Sequence, residues 1–208
     1  MTKYKYSQDD IHKVYTDNLN MAKAKLAELD VYHKEEQCDI NVLNGWIFEH
    51  VVRHCLTYEL KERGLNPKMS EQYPTIGRRK ADLEISNKIL IEIKKLGVFY
   101  SKENFENTKE RYKKYINTMK EKGFIEYLYI TLEQSEEPKK PSSWNYREKD
   151  IEIFGKDNAF FLDESDDNWR KFVNRVEELL RENQKNRQSL NEGDQMQRMW
   201  KTNSGCEL

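Results

Sequence analysis

The chain has 208 residues, of which 37% are hydrophobic and 35% charged, and its formal net charge is −1. That length fits one domain, and 12% aromatic residues argue against wholesale disorder. No apolar run reaches the roughly 18 residues of a membrane span, and the opening Met1-Thr2-Lys3-Tyr4-Lys5-Tyr6 lacks the apolar stretch of a signal peptide.

Residues 7–29 read as a packing helix. Ser7 or Asp9 can cap it, and Ile11, Val14, Tyr15, Leu19, Ala22, Leu26 and Leu29 recur at helical spacing. Residues 30–40 are polar and read as a loop. A second helix is expected from Val42 to Arg63, stopped by Gly64, a C-terminal signal. Leu43, Ile47, Val51 and Cys55 form its apolar stripe, widened by Phe48, Val52, Leu56 and Leu60.

Glu49 falls beside that stripe, and a carboxylate bordering an apolar face needs a reason, because burying charge unpaired is costly. It can pair with Arg53 one turn on, or it can serve a metal or a water. His50 and His54 have the i, i+4 spacing of a Zn²⁺ pair, but no zincin motif and no third ligand accompany them.

Residues 66–76 read as a connector with Pro67 and Pro74, after which Arg78, Arg79 and Lys80 lead into a hairpin. From Leu83 to Ile93 apolar and polar residues alternate, the period of half-buried strands. A three-residue turn, Ser86-Asn87-Lys88, pairs Ile85 with Ile89, Leu83 with Ile91 and Asp82 with Glu92. A two-residue turn would set Leu83 against Glu92 and mix the faces, so the apolar pattern selects the first register. Asp82 and Glu92 then lie opposite each other, with Cβ atoms about 4.5–5.5 Å apart, and Lys94 follows on the same face. Two such carboxylates repel unless a cation lies between them. Oxygen-only ligands suit Mg²⁺, and a lysine beside the metal can orient or deprotonate the attacking water and stabilise charge at phosphorus. The competing reading is an amphipathic hairpin whose polar face is simply wet.

Asp82, nine residues, then Glu92-Ile93-Lys94 resembles the PD-(D/E)XK nuclease superfamily, which includes many type II restriction endonucleases; Ala81 stands where the motif has proline. The resemblance covers residues 41–131. It implies an α/β (α+β) fold, a restriction-endonuclease-like mixed central sheet flanked by helices. It also implies a Mg²⁺-dependent endonuclease, Asp82 and Glu92 holding the metal, Lys94 handling the water and Glu49 assisting either. Gly45-x-x-x-Glu49 resembles the helix that precedes the nuclease hairpin, with Gly45 letting that helix approach the sheet. Duplex DNA is the expected substrate, and a homodimer is expected by the same resemblance. Viral cap-snatching RNA endonucleases share this core, prefer Mn²⁺ and add a metal-binding histidine, a part that His50 or His54 could take. A non-catalytic nucleic-acid-binding protein that keeps the hairpin as structure is the rival from another class.

The remaining chain is read for fold and charge. Ser101 can cap a helix that Gly123 ends, with Phe105, Thr108, Tyr112, Tyr115, Ile116 and Met119 packing. Residues 77–122 carry 13 Lys/Arg against 7 Asp/Glu, whereas residues 133–178 carry 8 against 13. Positive charge therefore gathers near the hairpin, and Arg78, Arg79, Lys80, Lys95, Lys109 and Lys113 are the expected phosphate contacts. Residues 124–131 read as a central strand, with a crossover from the hairpin. Residues 133–149 read as a loop in which Trp144, Asn145, Tyr146 and Arg147 could read bases. Residues 150–154 and 159–162 read as a hairpin, followed by a helix on which Trp169, Phe172, Val173, Val176, Leu179 and Leu180 face the core. The organisation expected is one nuclease domain over 1–182, comprising an N-terminal helix and loop (7–40), a catalytic core (41–131) and a C-terminal hairpin and helix (132–182), with a flexible polar tail over 183–208. Cys38, Cys55 and Cys206 have no metal-ligand spacing, and their odd number fits a reducing, cytoplasmic setting.

Overall fold

The computed structural model describes residues 5–28, 40–74, 80–96, 104–133, 146–163 and 167–203. Ten elements follow in order: α1 (Gln8–Glu28), α2 (Ile40–Glu62), β1 (Met69–Pro74), β2 (Lys80–Ile85), β3 (Ile89–Leu96), α3 (Phe105–Glu121), β4 (Glu126–Glu133), α4 (Tyr146–Phe154), β5 (Ala159–Phe161) and α5 (Asn168–Asn203). The fold is mixed α/β: a five-stranded sheet in the order β1-β2-β3-β4-β5, flanked by helices. β1, β2 and β3 are antiparallel neighbours, and β4 and β5 join in parallel.

Local chemistry sets the ends of these elements. Ser7 Oγ accepts from the Asp10 N–H, and an Asp10 carboxylate oxygen accepts from the Ser7 N–H, a reciprocal cap at the start of α1. Those bonds hold the Asp10 carboxyl below its usual range. Gly64 (φ +73°) and Gly123 (φ +91°) follow α2 and α3 in the left-handed region that glycine adopts without penalty.

Each face of the sheet has its own core. Leu83, Ile85, Ile89, Ile91 and Ile93 pack with Phe48, Val52 and Leu56 of α2 and Trp169, Phe172 and Val176 of α5. Leu90, Tyr127, Tyr129 and Phe161 pack on the other face with Phe105, Tyr115 and Met119 of α3 and Ile153 and Phe154 of α4. A buried polar staple ties α2 to α5: Arg63 Nη1 donates to Glu177 Oε2 at 2.6 Å and to Asn174 Oδ1 at 3.0 Å. Glu59 accepts from the backbone N–H groups of Lys5 and Tyr6, both at 2.8 Å.

Several expectations need correction. The connector over 66–76 contains β1, an edge strand of partly exposed residues, where Pro74 costs no ladder bond to a further strand. Residues 150–154 belong to α4, so the expected hairpin is instead a helix followed by a short strand parallel to β4. The last helix does not stop near 182 but runs to Asn203. A Cβ at Gly45 would meet no atom within 4 Å, so Gly45 is not what brings α2 to the sheet. Residues 30–39, the expected cap Ser101 and most of the loop over 133–149 lie outside the described residues.

Candidate active site

From Leu83 to Ile91 the β2–β3 register is the one the apolar alternation selects, but the expected pairing of Asp82 with Glu92 is not part of it. Leu83 pairs with Ile91, Glu84 with Leu90 and Ile85 with Ile89. Ser86 and Asn87 turn the chain with φ +54° each, and the Ile85 carbonyl accepts from the Lys88 N–H at 3.0 Å. Beyond Leu83 a side chain joins the two strands: the Ile93 N–H donates to Asp82 Oδ2 at 2.8 Å. Lys94 Nζ donates to the same oxygen at 2.9 Å and lies 2.8 Å from Glu92 Oε1. One ammonium thus bridges two carboxylates, whose side chains are only 11% and 10% exposed.

Two tyrosines fix Glu92 from below. The buried Tyr127 hydroxyl donates to Glu92 Oε2 at 2.6 Å, and the Tyr112 hydroxyl donates to Oε1 at 3.3 Å. Burial, and after it the Glu92 charge, pushes the Tyr127 phenol well above its ordinary value, so it remains a donor. Burial would lower the Lys94 ammonium, but Glu92 and Asp82 outweigh it and hold the group above the ordinary lysine range. Burial, then the Glu92 charge, raises the Asp82 carboxyl. Lys94 is therefore a fixed cation, suited to orient water and stabilise a phosphoryl oxygen.

Glu49 approaches from α2. It does not pair with Arg53; it accepts from Gln72 Nε2 at 3.3 Å, while Arg53 Nε lies 2.6 Å from Glu71 Oε1. Burial, and next the Asp82 charge, pushes the Glu49 carboxyl up to about 7. A carboxyl titrating there is matched to general-base work near neutrality. Glu49 and Asp82 line one cavity of about 350 Å³, together with Trp46, His50, Arg53, Glu71, Gln72, Leu83 and Ile93. His54 instead lines a groove between α1 and α2.

The donors of Asp82 and Glu92 are oxygens only, the set that Mg²⁺ takes in ones and twos before completing its shell with water and phosphate. Among the described residues no group of three or more His, Cys, Asp or Glu side chains could hold a metal ion. Asp82 and Glu92 are the residues that would hold an ion here, with Glu49 lining the cavity beside Asp82. Asp82 Oδ2 accepts from both the Ile93 N–H and Lys94 Nζ.

The expected phosphate contacts are only partly assembled. Lys80 is exposed where β2 begins and Lys113 is exposed on α3, while Lys95 is half-buried at the end of β3. Lys109 is paired at the surface, 2.9 Å from Glu152 and 4.0 Å from Glu106. Arg78 and Arg79 lie outside the described residues. Sequence reasoning missed the parts played by Tyr127, Tyr112 and Gln72. Tyr112 stands on the packing stripe of α3, and nothing in its spacing signals that its hydroxyl reaches β3. Cys55 is a buried free thiol, pushed up to about 12 by burial, so it is inert.

Comparison with protein-family models gave no match, and neither the curated proteins nor the solved structures gave one. Among the described residues no helix is long and apolar enough to cross a membrane.

Proposed function

We propose that the protein is a Mg²⁺-dependent endonuclease that hydrolyses phosphodiester bonds, with duplex DNA as its substrate, in the manner of a type II restriction endonuclease. The observation that carries this reading is the Asp82–Lys94–Glu92 bridge on a splayed hairpin, with Glu49 facing Asp82 across a cavity. Lys94 holds the attacking water and the phosphoryl oxygen by charge, and Glu49 accepts the water proton. Tyr127 and Tyr112 keep Glu92 turned toward Lys94. Bound at Asp82 and Glu92, the metal would supply a Lewis acid that lowers the pKa of water and neutralises charge at phosphorus. Lys80 at the start of β2, Lys95 near the end of β3 and Lys113 on α3 are the cations proposed to meet the polyanion. The setting proposed is cytoplasmic, and a homodimer would match a two-fold symmetric site.

A second reading has its own support. His50 lies on the cavity wall with Glu49 and Asp82, as a metal-binding histidine of an RNA endonuclease would. Supercoiled plasmid and single-stranded RNA, each with Mg²⁺, Mn²⁺ or EDTA, separate the two. Discrete metal-dependent DNA products favour the first reading. RNA degradation that prefers Mn²⁺ and is lost in His50→Ala favours the second. Binding of either polymer without cleavage leaves a nucleic-acid-binding protein on the same fold.

A further inference from the structure

The cavity beside Asp82 is built from three directions. On α2, Trp46, Glu49, His50 and Arg53 follow one another at i, i+3, i+4 and i+7, so they share one helix face. On β1, Glu71 and Gln72 both line the cavity, although successive strand residues ordinarily point to opposite faces. The left-handed Gln72 (φ +49°) breaks that alternation and brings two polar side chains to one wall. Asp82, Leu83 and Ile93 close the remaining side.

Three properties point to the kind of ligand. Its volume, about 350 Å³, lies at the small end of the roughly 300–1,000 Å³ range of ligand pockets. Trp46 is 63% exposed, one of three large hydrophobic side chains exposed among the described residues, and it lines the cavity. The charge balance disfavours a phosphate: Glu49, Glu71 and Asp82 line the cavity, and Arg53 is already engaged with Glu71 at 2.6 Å. A neutral aromatic ring with polar edges meets no such repulsion. It can stack on the indole while Gln72 and Glu71 face its edge.

We propose that this cavity seats one unpaired nucleobase next to the bond that is cut. The proposal rests on the nuclease reading above. Asp82 belongs to both the cavity and the Lys94 bridge, so a base on Trp46 and a phosphate at Lys94 are neighbours. A base inside a duplex stack cannot reach the indole; the nucleotide must leave the stack. A duplex substrate must therefore open beside the scissile phosphate, and a duplex already unpaired there avoids that cost.

Two measurements test this. Adenosine and cytidine monophosphates are titrated in EDTA while tryptophan fluorescence is followed in wild type, Trp46→Leu and Trp46→Phe. Quenching is expected in wild type and absent in Trp46→Leu, with Trp46→Phe retaining nucleotide binding by calorimetry. Cleavage is then compared on a paired duplex and on the same duplex with one unpaired nucleotide at the cut. Wild type should prefer the unpaired substrate, and Trp46→Leu should raise its KM about five- to 160-fold, the span set by loss of one base stack. Equal nucleotide binding in wild type and Trp46→Leu, or the same substrate preference in both, overturns the proposal. Nucleotide binding through Trp46 without cleavage of any strand keeps the seat and removes the nuclease reading. Cleavage indifferent to Trp46 does the reverse.

Discussion

Glu49→Gln isolates the electrostatics of the cavity. Glutamine keeps the shape, and its carbonyl can still accept from Gln72, but it cannot ionise. The Glu49 carboxyl moves from 4.5 to about 7 on folding, and each pKa unit corresponds to about 1.4 kcal/mol. The upper limit is therefore about 3 kcal/mol, and solvent screening of a part-exposed group reduces it to about 1–2 kcal/mol. A carboxyl raised by folding works against the folded state once it must ionise. The cost is absent below pH 4.5, grows as pH climbs toward 7, and stays constant above. Urea unfolding in EDTA should thus show Glu49→Gln more stable than wild type by about 1–2 kcal/mol at pH 8, with most of the gain gone at pH 5. An equal gain at both pH values, or a loss at pH 8, would refute the reasoning, because the effect would then not be the charge.

Lys94→Met removes the bridge between Asp82 and Glu92. Their oxygens share one nitrogen at 2.9 and 2.8 Å, so they lie at most about 6 Å apart, where like charges repel by about 3 kcal/mol at an effective dielectric constant near 20. A loss of about that size is expected at pH 8, smaller toward acid pH because burial and the Glu92 charge raise the Asp82 carboxyl, as denaturant curves across pH would show. Tyr127→Phe deletes the 2.6 Å donor to Glu92 while the ring keeps its place against Phe154, stacked at 6.0 Å. It should cost about 1.5–3 kcal/mol, the range for hydrogen bonds to charged groups, and lower kcat while KM stays unchanged.

The hairpin was legible because two local rules agreed: alternation put Leu83, Ile85, Ile89, Ile91 and Ile93 on one face, and only one turn length preserved it. The order of periodic segments pointed to a mixed α/β sheet, and its flanking helices were what the family resemblance implied. What stayed hidden was non-local or locally ambiguous. Asp150-Ile151-Glu152-Ile153-Phe154 alternates like a strand, yet Ile153 and Phe154 bury their side chains against the sheet and Asp150 accepts from the Tyr129 hydroxyl at 3.0 Å. Tertiary packing there overrides the period. β1 escaped notice because its Ser70-Glu71-Gln72 run is polar, as an edge strand can be. Glu49 stood out in the sequence because it borders an apolar stripe, but its partner Gln72 lies 23 residues away on that unseen strand, and helical spacing offered Arg53 instead. Lys109 looked like a phosphate ligand by type; its place between Glu106 and Glu152 depends on α4, which the strand reading had removed.

The most direct test compares wild type and Lys94→Ala in single-turnover cleavage of plasmid DNA with Mg²⁺, with the fold of each checked by circular dichroism. The account predicts discrete products from wild type, none in EDTA, and a rate lower by at least about a hundred-fold in a folded Lys94→Ala, the scale of losing one preorganised electrostatic contact to the transition state. Undiminished cleavage by the folded variant would contradict it and place the chemistry away from the Asp82–Glu92–Lys94 bridge.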